Sequence, residues 1–442
     1  MRVAKSFLGL ILIAAVAVGG LFAWAARWPV FEPIDRPERE SFDAALVEKG
    51  ATLAALGACA VCHTAEGGEA YAGGRPLPTP FGVIHATNIS PDPETGIGRW
   101  SEAAFRRALR RGIDRAGNHL YPAFPYDHFT RLTDDDITAL YAYVMTRTPA
   151  AAETPENTLA FPYNIRLAMA GWNLLYLDAG GFEPNPARDE QWNRGAYLVE
   201  GIGHCGACHT PRNVFGAEKA GVPLAGGDVE GWHATALNAA SPAPAPWDED
   251  EMVNYLLDGW DGNHGIAAGP MTPVVDELAA ISDDDAYAIA AYVLSFQAGD
   301  GDGARGESAR AFAAARAFGG TETPAGGPTP PAGADPAFGR GLAVFARVCA
   351  NCHRANARAA PLALTSTVNS PDPRNFLQIV VDGIVPPEGA FDRSMPGFGG
   401  ALSDADLVDL ATFVRAHFSK NPEWDDLEVT VQVVRDGVEK SR

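Results

Sequence analysis

Three stretches of the chain place apolar residues at the three- and four-residue spacing of an amphipathic helix: Ile137 to Met145, Ala286 to Phe296 and Leu407 to Phe418. Each follows a hydroxyl residue and a run of acids, Thr133-Asp134-Asp135-Asp136, Ser282-Asp283-Asp284-Asp285 and Ser403-Asp404-Ala405-Asp406. That pattern predicts a side-chain cap and a first turn whose negative charge suits the positive end of the helix dipole. Well ahead of each lies a second shared segment. Lys49-Gly50-Ala51, Arg194-Gly195-Ala196 and Arg340-Gly341-Leu342 are each followed by about two turns of mostly apolar helix. The chain therefore reads as three copies of one unit, a lead-in helix, a long loop and a closing helix.

The two ends depart from this repeat. Arg2 and Lys5 precede the uncharged, mostly apolar run Phe7 to Ala26, whose twenty residues would span about 30 Å as a helix. Ala23-Trp24-Ala25 offers a signal-peptide cleavage site, but the run exceeds the roughly 7–15 apolar residues of such a peptide, which favours a retained N-terminal transmembrane helix. Basic residues in front, and Glu32, Asp35, Glu38 and Glu40 behind, predict that the rest of the chain lies on the periplasmic face of a bacterial inner membrane. At the other end Val429, Val431 and Val433 alternate with polar residues as in a strand. A helical pattern at Glu307 to Phe318 stands outside the repeat.

At 442 residues the chain has room for two to four domains. With 47% hydrophobic and 20% charged residues it is globular. The net charge of −21 opposes a phosphate-binding surface and so excludes nucleic acid as the main ligand. Punctuation by Pro and Gly divides it: a membrane anchor or signal segment at 1–27, a tether at 28–44, domains at 45–150, 187–298 and 337–420, a connector at 151–186, a Gly/Pro-rich linker at 299–336 and a tail at 421–442.

All six cysteines fall in three copies of one pattern, Cys59-x-x-Cys62-His63, Cys205-x-x-Cys208-His209 and Cys349-x-x-Cys352-His353. Two cysteines three apart share a helical face, where both sulfurs can form thioethers to the vinyl groups of one porphyrin, and the next residue turns an imidazole to the iron. A thioredoxin-like pair would occur once, beside a βαβ pattern that is not found. Zinc sites pair two C-x-x-C units and do not call for histidine after each. The spacing predicts three covalently bound c-type haems with His63, His209 and His353 as proximal ligands.

Distal ligands are sought among six methionines. Met271 and Met395 sit in proline-flanked loops shortly before the second and third closing helices, outside any apolar stripe, and are the expected thioether ligands. Met145 and Met252 fall at helical spacing among apolar residues and read as packing. In the first unit the equivalent loop carries Phe124, flanked by His119 and His128. His128 is the first candidate for haem one and His119 the second, with Met145 or an open site as alternatives.

Thr79-Pro80-Phe81-Gly82, the run Thr87-Asn88-Ile89-Ser90-Pro91-Asp92-Pro93-Glu94-Thr95-Gly96-Ile97-Gly98, the loop Leu120 to Tyr126, and His209-Thr210-Pro211-Arg212 resemble the triple-haem cytochrome c subunits of membrane-bound dehydrogenases. The resemblance covers most of residues 45–420 and implies a mainly α fold of three tandem class I cytochrome c domains with long loops. It implies a non-catalytic subunit relaying electrons from a quinoprotein, flavin or molybdenum-containing catalytic subunit to ubiquinone or a terminal oxidase. The family's usual first-haem loop has methionine where this chain has Phe124. Phe124 with His128 looks more like the partners of molybdenum enzymes. A free-standing carrier or oxidase subunit, and a haem enzyme with an open haem one, are the competing readings.

Overall fold

The computed structural model describes residues 16, 17, 19, 20, 27–297, 302–317, 335–355, 359–385 and 394–441. They fall into two compact units, one of residues 1–184, 200–204 and 215–217, the other of residues 185–199, 205–214 and 218–442.

In the first unit the helix Ala44–Leu56 starts on Asp43, whose carboxylate accepts from Ala45 and Leu46 N–H, and packs along the helix Asp134–Met145. The expected cap forms, since the Thr133 hydroxyl accepts from Asp136 N–H. Gly50 sits at the crossing, where a Cβ would lie 2.1 Å from the Ala139 carbonyl oxygen. Such contact is open only to glycine and lets the helix backbones touch. Lys49 closes the crossing with an ion pair to Asp136 at 2.6 Å.

The second unit repeats this crossing twice. Glu190–Tyr197 packs on Asp283–Leu294 and Pro336–Val348 packs on Asp404–Phe418. A Cβ on Gly195 or Gly341 would lie 1.9 Å from the carbonyl oxygen of Ala288 or Asp409. Arg194 and Arg340 bind Asp285 and Asp409 with two bonds each, of 2.7 and 3.0 Å and of 2.7 and 2.7 Å. The Gly that follows a basic residue in each lead-in is thus the crossing point, and the base is its clasp. Phe338, Phe345, Leu377, Leu407, Leu410, Phe413 and Phe418 form the core around the last pair.

Short strands fill the loops. β1 (Pro76–Thr79) and β2 (Gly82–His85) form an antiparallel hairpin that β3 (Thr158–Leu159) extends. β4 (Gly227–Val229) pairs with β5 (Trp232–Ala234), β6 (Trp260–Asp261) with β7 (Gly265–Ile266), and β8 (Gly383–Ile384) with β9 (Met395–Pro396). The run Thr87 to Gly98 is a pinned loop. Asn88 Nδ2 donates to Ala150 O at 2.7 Å and Thr95 Oγ1 at 3.0 Å, while Asp92 Oδ1 accepts from Thr95 N–H at 2.7 Å.

Three expectations are corrected. The mainly α class with an N-terminal transmembrane helix does not hold. Helices dominate, but small antiparallel sheets accompany them, and among the described residues no helix is long and apolar enough to cross a membrane. The placement anchored at the periplasmic face of the inner membrane rested on that helix and falls with it; most of Phe7 to Ala26 lies outside the described residues. The C-terminal strand is a helix, Leu427–Ser441. Leu427, Val431 and Val434 bury one helical face, whereas Val429 and Val433 stay 62% and 57% exposed, so the alternation of valines was incidental to packing. The helical pattern at Glu307 to Phe318 is realised as Asp302–Arg316.

Candidate functional site

Each cysteine pattern forms one helical turn. Cys59–His63 is a short helix launched by Ala58 in the left-handed region at φ 45°. In the second copy His204, at φ 36°, takes the same place before Cys205, and His209 N–H donates to Cys205 O at 3.0 Å. In the third copy Cys349 N–H continues the lead-in helix to Phe345 O at 2.8 Å, and His353 N–H returns to Cys349 O at 3.0 Å. Both cysteines of every copy therefore lie on one face of a turn.

The histidines are held in a repeated way. His63 Nδ1 lies 2.7 Å from Thr87 O and His209 Nδ1 lies 2.7 Å from Thr235 O. An Nδ1–H donated to a carbonyl fixes ring and tautomer, leaving Nε2 as the coordinating nitrogen. Burial lowers both imidazoles below their ordinary value, the carbonyl bond pulling the other way, so the neutral, ligating form prevails. Burial also lowers His353, with the Ala360 backbone opposing it.

The turns themselves are laced to their loops. His63 O accepts from Gly73 N–H and His209 O from Gly226 N–H, each at 2.8 Å. Gly73, at φ 74°, lies so close that a Cβ would fall 2.4 Å from the Thr87 carbonyl carbon. Arg75 Nη1 donates to Val61 O and Arg212 Nη2 to Ala207 O, each at 2.7 Å, so both guanidiniums bind the residue just before the second cysteine. Burial pushes the Cys205 and Cys349 thiols up to about 12, with Cys208 and Cys352 adding to it, which opposes a nucleophilic or redox thiolate.

The expected distal residues are placed as follows. Met395 lies in β9 opposite Ile384, and both it and Cys349 pack against the apolar core around the last helix pair. Met271 ends the turn Gly269–Met271, where Gly269 lies under the Trp232 ring of β5. The same strand leads into Thr235, so one hairpin holds both His209 and the Met271 loop. His128, on the short helix Tyr126–Phe129, has Nδ1 2.9 Å from Glu200 O. Its ring meets His204 edge-on at 6.4 Å, and His204 Nε2 lies 3.2 Å from the carbonyl of Gly57, two residues before Cys59. Phe124 packs among Tyr126 and Phe129 instead of presenting a ligand. His119 is buried, and Met145 and Met252 are buried in helices.

Thr87, Thr235, Arg75 and Arg212 escaped sequence reasoning because two of them act through a backbone carbonyl and two reach it from unequal offsets. A signal was present in the matched tripeptides His85-Ala86-Thr87 and His233-Ala234-Thr235. The structure also gathers Glu251, Asp261 and His264 in a buried cluster. Both Glu251 oxygens are committed there, one accepting from Asn263 and Arg310 and the other from Asp248 N–H and His264, which makes the cluster a structural network.

Two sulfurs on one face of a turn with an imidazole beside them, tethered to a carbonyl at His63 and His209, are the donor set that a covalently attached porphyrin would need. The cytochrome c family matches residues 47–148, and the cytochrome c oxidase, cbb3-type, subunit III family matches residues 336–414. The protein is a c-type cytochrome, carrying covalently bound haem for electron transfer. It is 45% identical to a nicotinate dehydrogenase subunit of Pseudomonas putida over 94% of this chain, and spans 34% of that longer protein. It is 36% identical to the gluconate 2-dehydrogenase cytochrome c subunit of Pantoea cypripedii, covering 84% of this chain and 85% of that one. It is 34% identical to the cytochrome c subunit of alcohol dehydrogenase (quinone) of Gluconacetobacter polyoxogenes, covering 89% and 85%. The chain belongs to the family of cytochrome c subunits of dehydrogenases.

Proposed function

We propose that the chain holds three c-type haems in three domains, residues 45–150, 187–298 and 337–420, and passes single electrons from a catalytic dehydrogenase subunit to ubiquinone or a terminal oxidase. Cys59 and Cys62, Cys205 and Cys208, and Cys349 and Cys352 supply the thioethers; His63, His209 and His353 are the proximal ligands. The observation that carries this reading is the 2.7 Å tether from Nδ1 to a loop carbonyl, made twice in matching positions by His63 and His209. Haem iron supplies the one-electron chemistry, and the chain's own residues set ligand, burial and spacing.

Met271 and Met395 are the distal ligands of the second and third haems, and His128 that of the first. The tether of His128 Nδ1 to Glu200 O, of the same kind as those of His63 and His209, supports an imidazole ligand where Phe124 has replaced methionine. Two imidazoles, without a thioether, give the first haem a lower potential than its neighbours, which suits the donor end. The 45% identity to a nicotinate dehydrogenase subunit, above that to the gluconate and alcohol enzymes, favours a partner that oxidises an N-heterocycle.

Purification of the tagged chain from its native cells tests the relay. A large catalytic chain should come with it, and adding nicotinate or a related N-heterocycle to the complex should reduce the haem absorption bands. A chain that comes away alone, with bands that stay oxidised under every substrate, would make it a free-standing carrier.

A further inference from the structure

The helix Leu427–Ser441 lies beyond the third closing helix, and its docking brings one arginine onto the loop that carries Met395. Leu427, Val431 and Val434 anchor the helix in the core, on Arg374–Asp382 and Asp404–Phe418. From that seat the half-buried Arg435 side chain makes three contacts with the segment just after Met395. Nη1 donates to Gly399 O, Nη2 to Leu402 O at 2.6 Å, and Nε to Asp404 Oδ1 at 3.0 Å. Gln432 Nε2 donates to the other Asp404 oxygen at 2.6 Å. Asp404 is the first residue of the closing helix, so the planar fork ties three points of the segment between the methionine and that helix.

The opposite side of the loop is held by backbone. Met395 pairs with Ile384, Phe398 N–H donates to Val380 O at 2.8 Å, and Gly399 N–H donates to Val381 O at 3.0 Å. The Gly399 residue is therefore gripped on both sides, its N–H by Val381 and its carbonyl by Arg435. A guanidinium meeting two carbonyls and a carboxylate at once has the fork geometry that an ammonium cannot reproduce.

We infer that Arg435 is a positioning residue for electron transfer: through Gly399 and Leu402 it holds the Met395 loop closed, keeping the thioether at the third haem and the potential of that haem high. The inference rests on Met395 as the distal ligand. A thioether bond is easily exchanged for an external ligand when its loop opens, so a clamp on the loop controls both potential and access.

The test uses the full-length holoprotein with Arg435→Ala, Arg435→Lys and Met395→Ala. Three readouts are the sulfur-to-iron charge-transfer band, the potential of the third haem, and cyanide affinity of the oxidised protein. Arg435→Ala should keep its haem complement and helix content, lower the potential of the third haem, and raise its cyanide affinity about tenfold or more, in the range by which outer contacts tune a metal site. Arg435→Lys should recover part of both changes, which a purely structural role in docking the helix would not show. Should Arg435→Ala match the parent in potential and cyanide binding while Met395→Ala alters both, the inference is wrong and the ligand reading stands. Should Met395→Ala change neither, the ligand reading fails and the inference goes with it.

Discussion

Single residues divide sharply into those that announce themselves and those that do not. The cysteine and histidine turns were legible because their chemistry is carried by side chains at fixed spacing. The tethers at Thr87 and Thr235 were not, since any residue supplies a carbonyl and only the fold says which one meets an imidazole. His128 belongs at this scale. Replacing it with alanine should shift the spectrum and lower-potential behaviour of the first haem and open that iron to carbon monoxide, with the second and third haems untouched. An unchanged spectrum and no carbon monoxide binding would leave His128 as an ordinary loop histidine. On the proposed ligation by Met271, Met271→His should lower the potential of the second haem, because an imidazole would replace the thioether, and a redox titration reads the shift directly.

Among the elements, the lead-in and closing helices were legible, whereas the C-terminal helix and the sheets were not. Apolar spacing and the caps at Thr133, Ser282 and Ser403 marked the closing helices. The hairpins are only two to four residues per strand, too short for a period to register. The crossing glycines were seen as a repeat, but their reason is steric and appears only when two helices meet. Gly341→Ala forces a Cβ against the Asp409 carbonyl at 1.9 Å, in well-packed surroundings where overpacking costs about 1–3 kcal/mol. Its thermal unfolding should therefore begin several degrees lower, with the loss confined to the part of the chain around Pro336–Phe418.

The same closing helix sets a pH dependence. Burial first, and the positive Arg316 second, push His417 down to about 4, and its ring stacks on Phe413 at 5.3 Å. The unfolded chain takes up this proton near pH 6.5 and the folded one only near 4, so the unfolded state binds more protons between those values. Stability is then full above about pH 6.5 and falls as pH drops toward 4, by roughly 2 kcal/mol once the partial exposure of the ring is discounted. Denaturant titrations of the parent and His417→Phe across this range should show the parent losing about 2 kcal/mol relative to the variant as pH falls from 6.5 to 4, if the ring is responsible. A parallel pair of curves would assign the slope to other groups.

At the scale of the whole molecule the repeat organised nearly everything the sequence revealed, because attachment turn, lead-in and closing helix recur in one order. The apolar N-terminal run invited a membrane helix; most of that run lies outside the described residues, and no described helix is long and apolar enough to cross a membrane. The net charge of −21 acts over the full surface. A cationic one-electron oxidant should outpace an anionic one of equal driving force at low ionic strength, and the two rates should converge as salt passes about 0.1 M, where the Debye length shrinks to about 10 Å. Beneath all of this lies the claim that iron is covalently fixed at three places along the chain. The mass of the purified, fully denatured polypeptide tests it most directly: the account predicts an increment of three haem groups and no alkylatable thiol. An increment of two or fewer, with reactive cysteines remaining at any of the three turns, would contradict it.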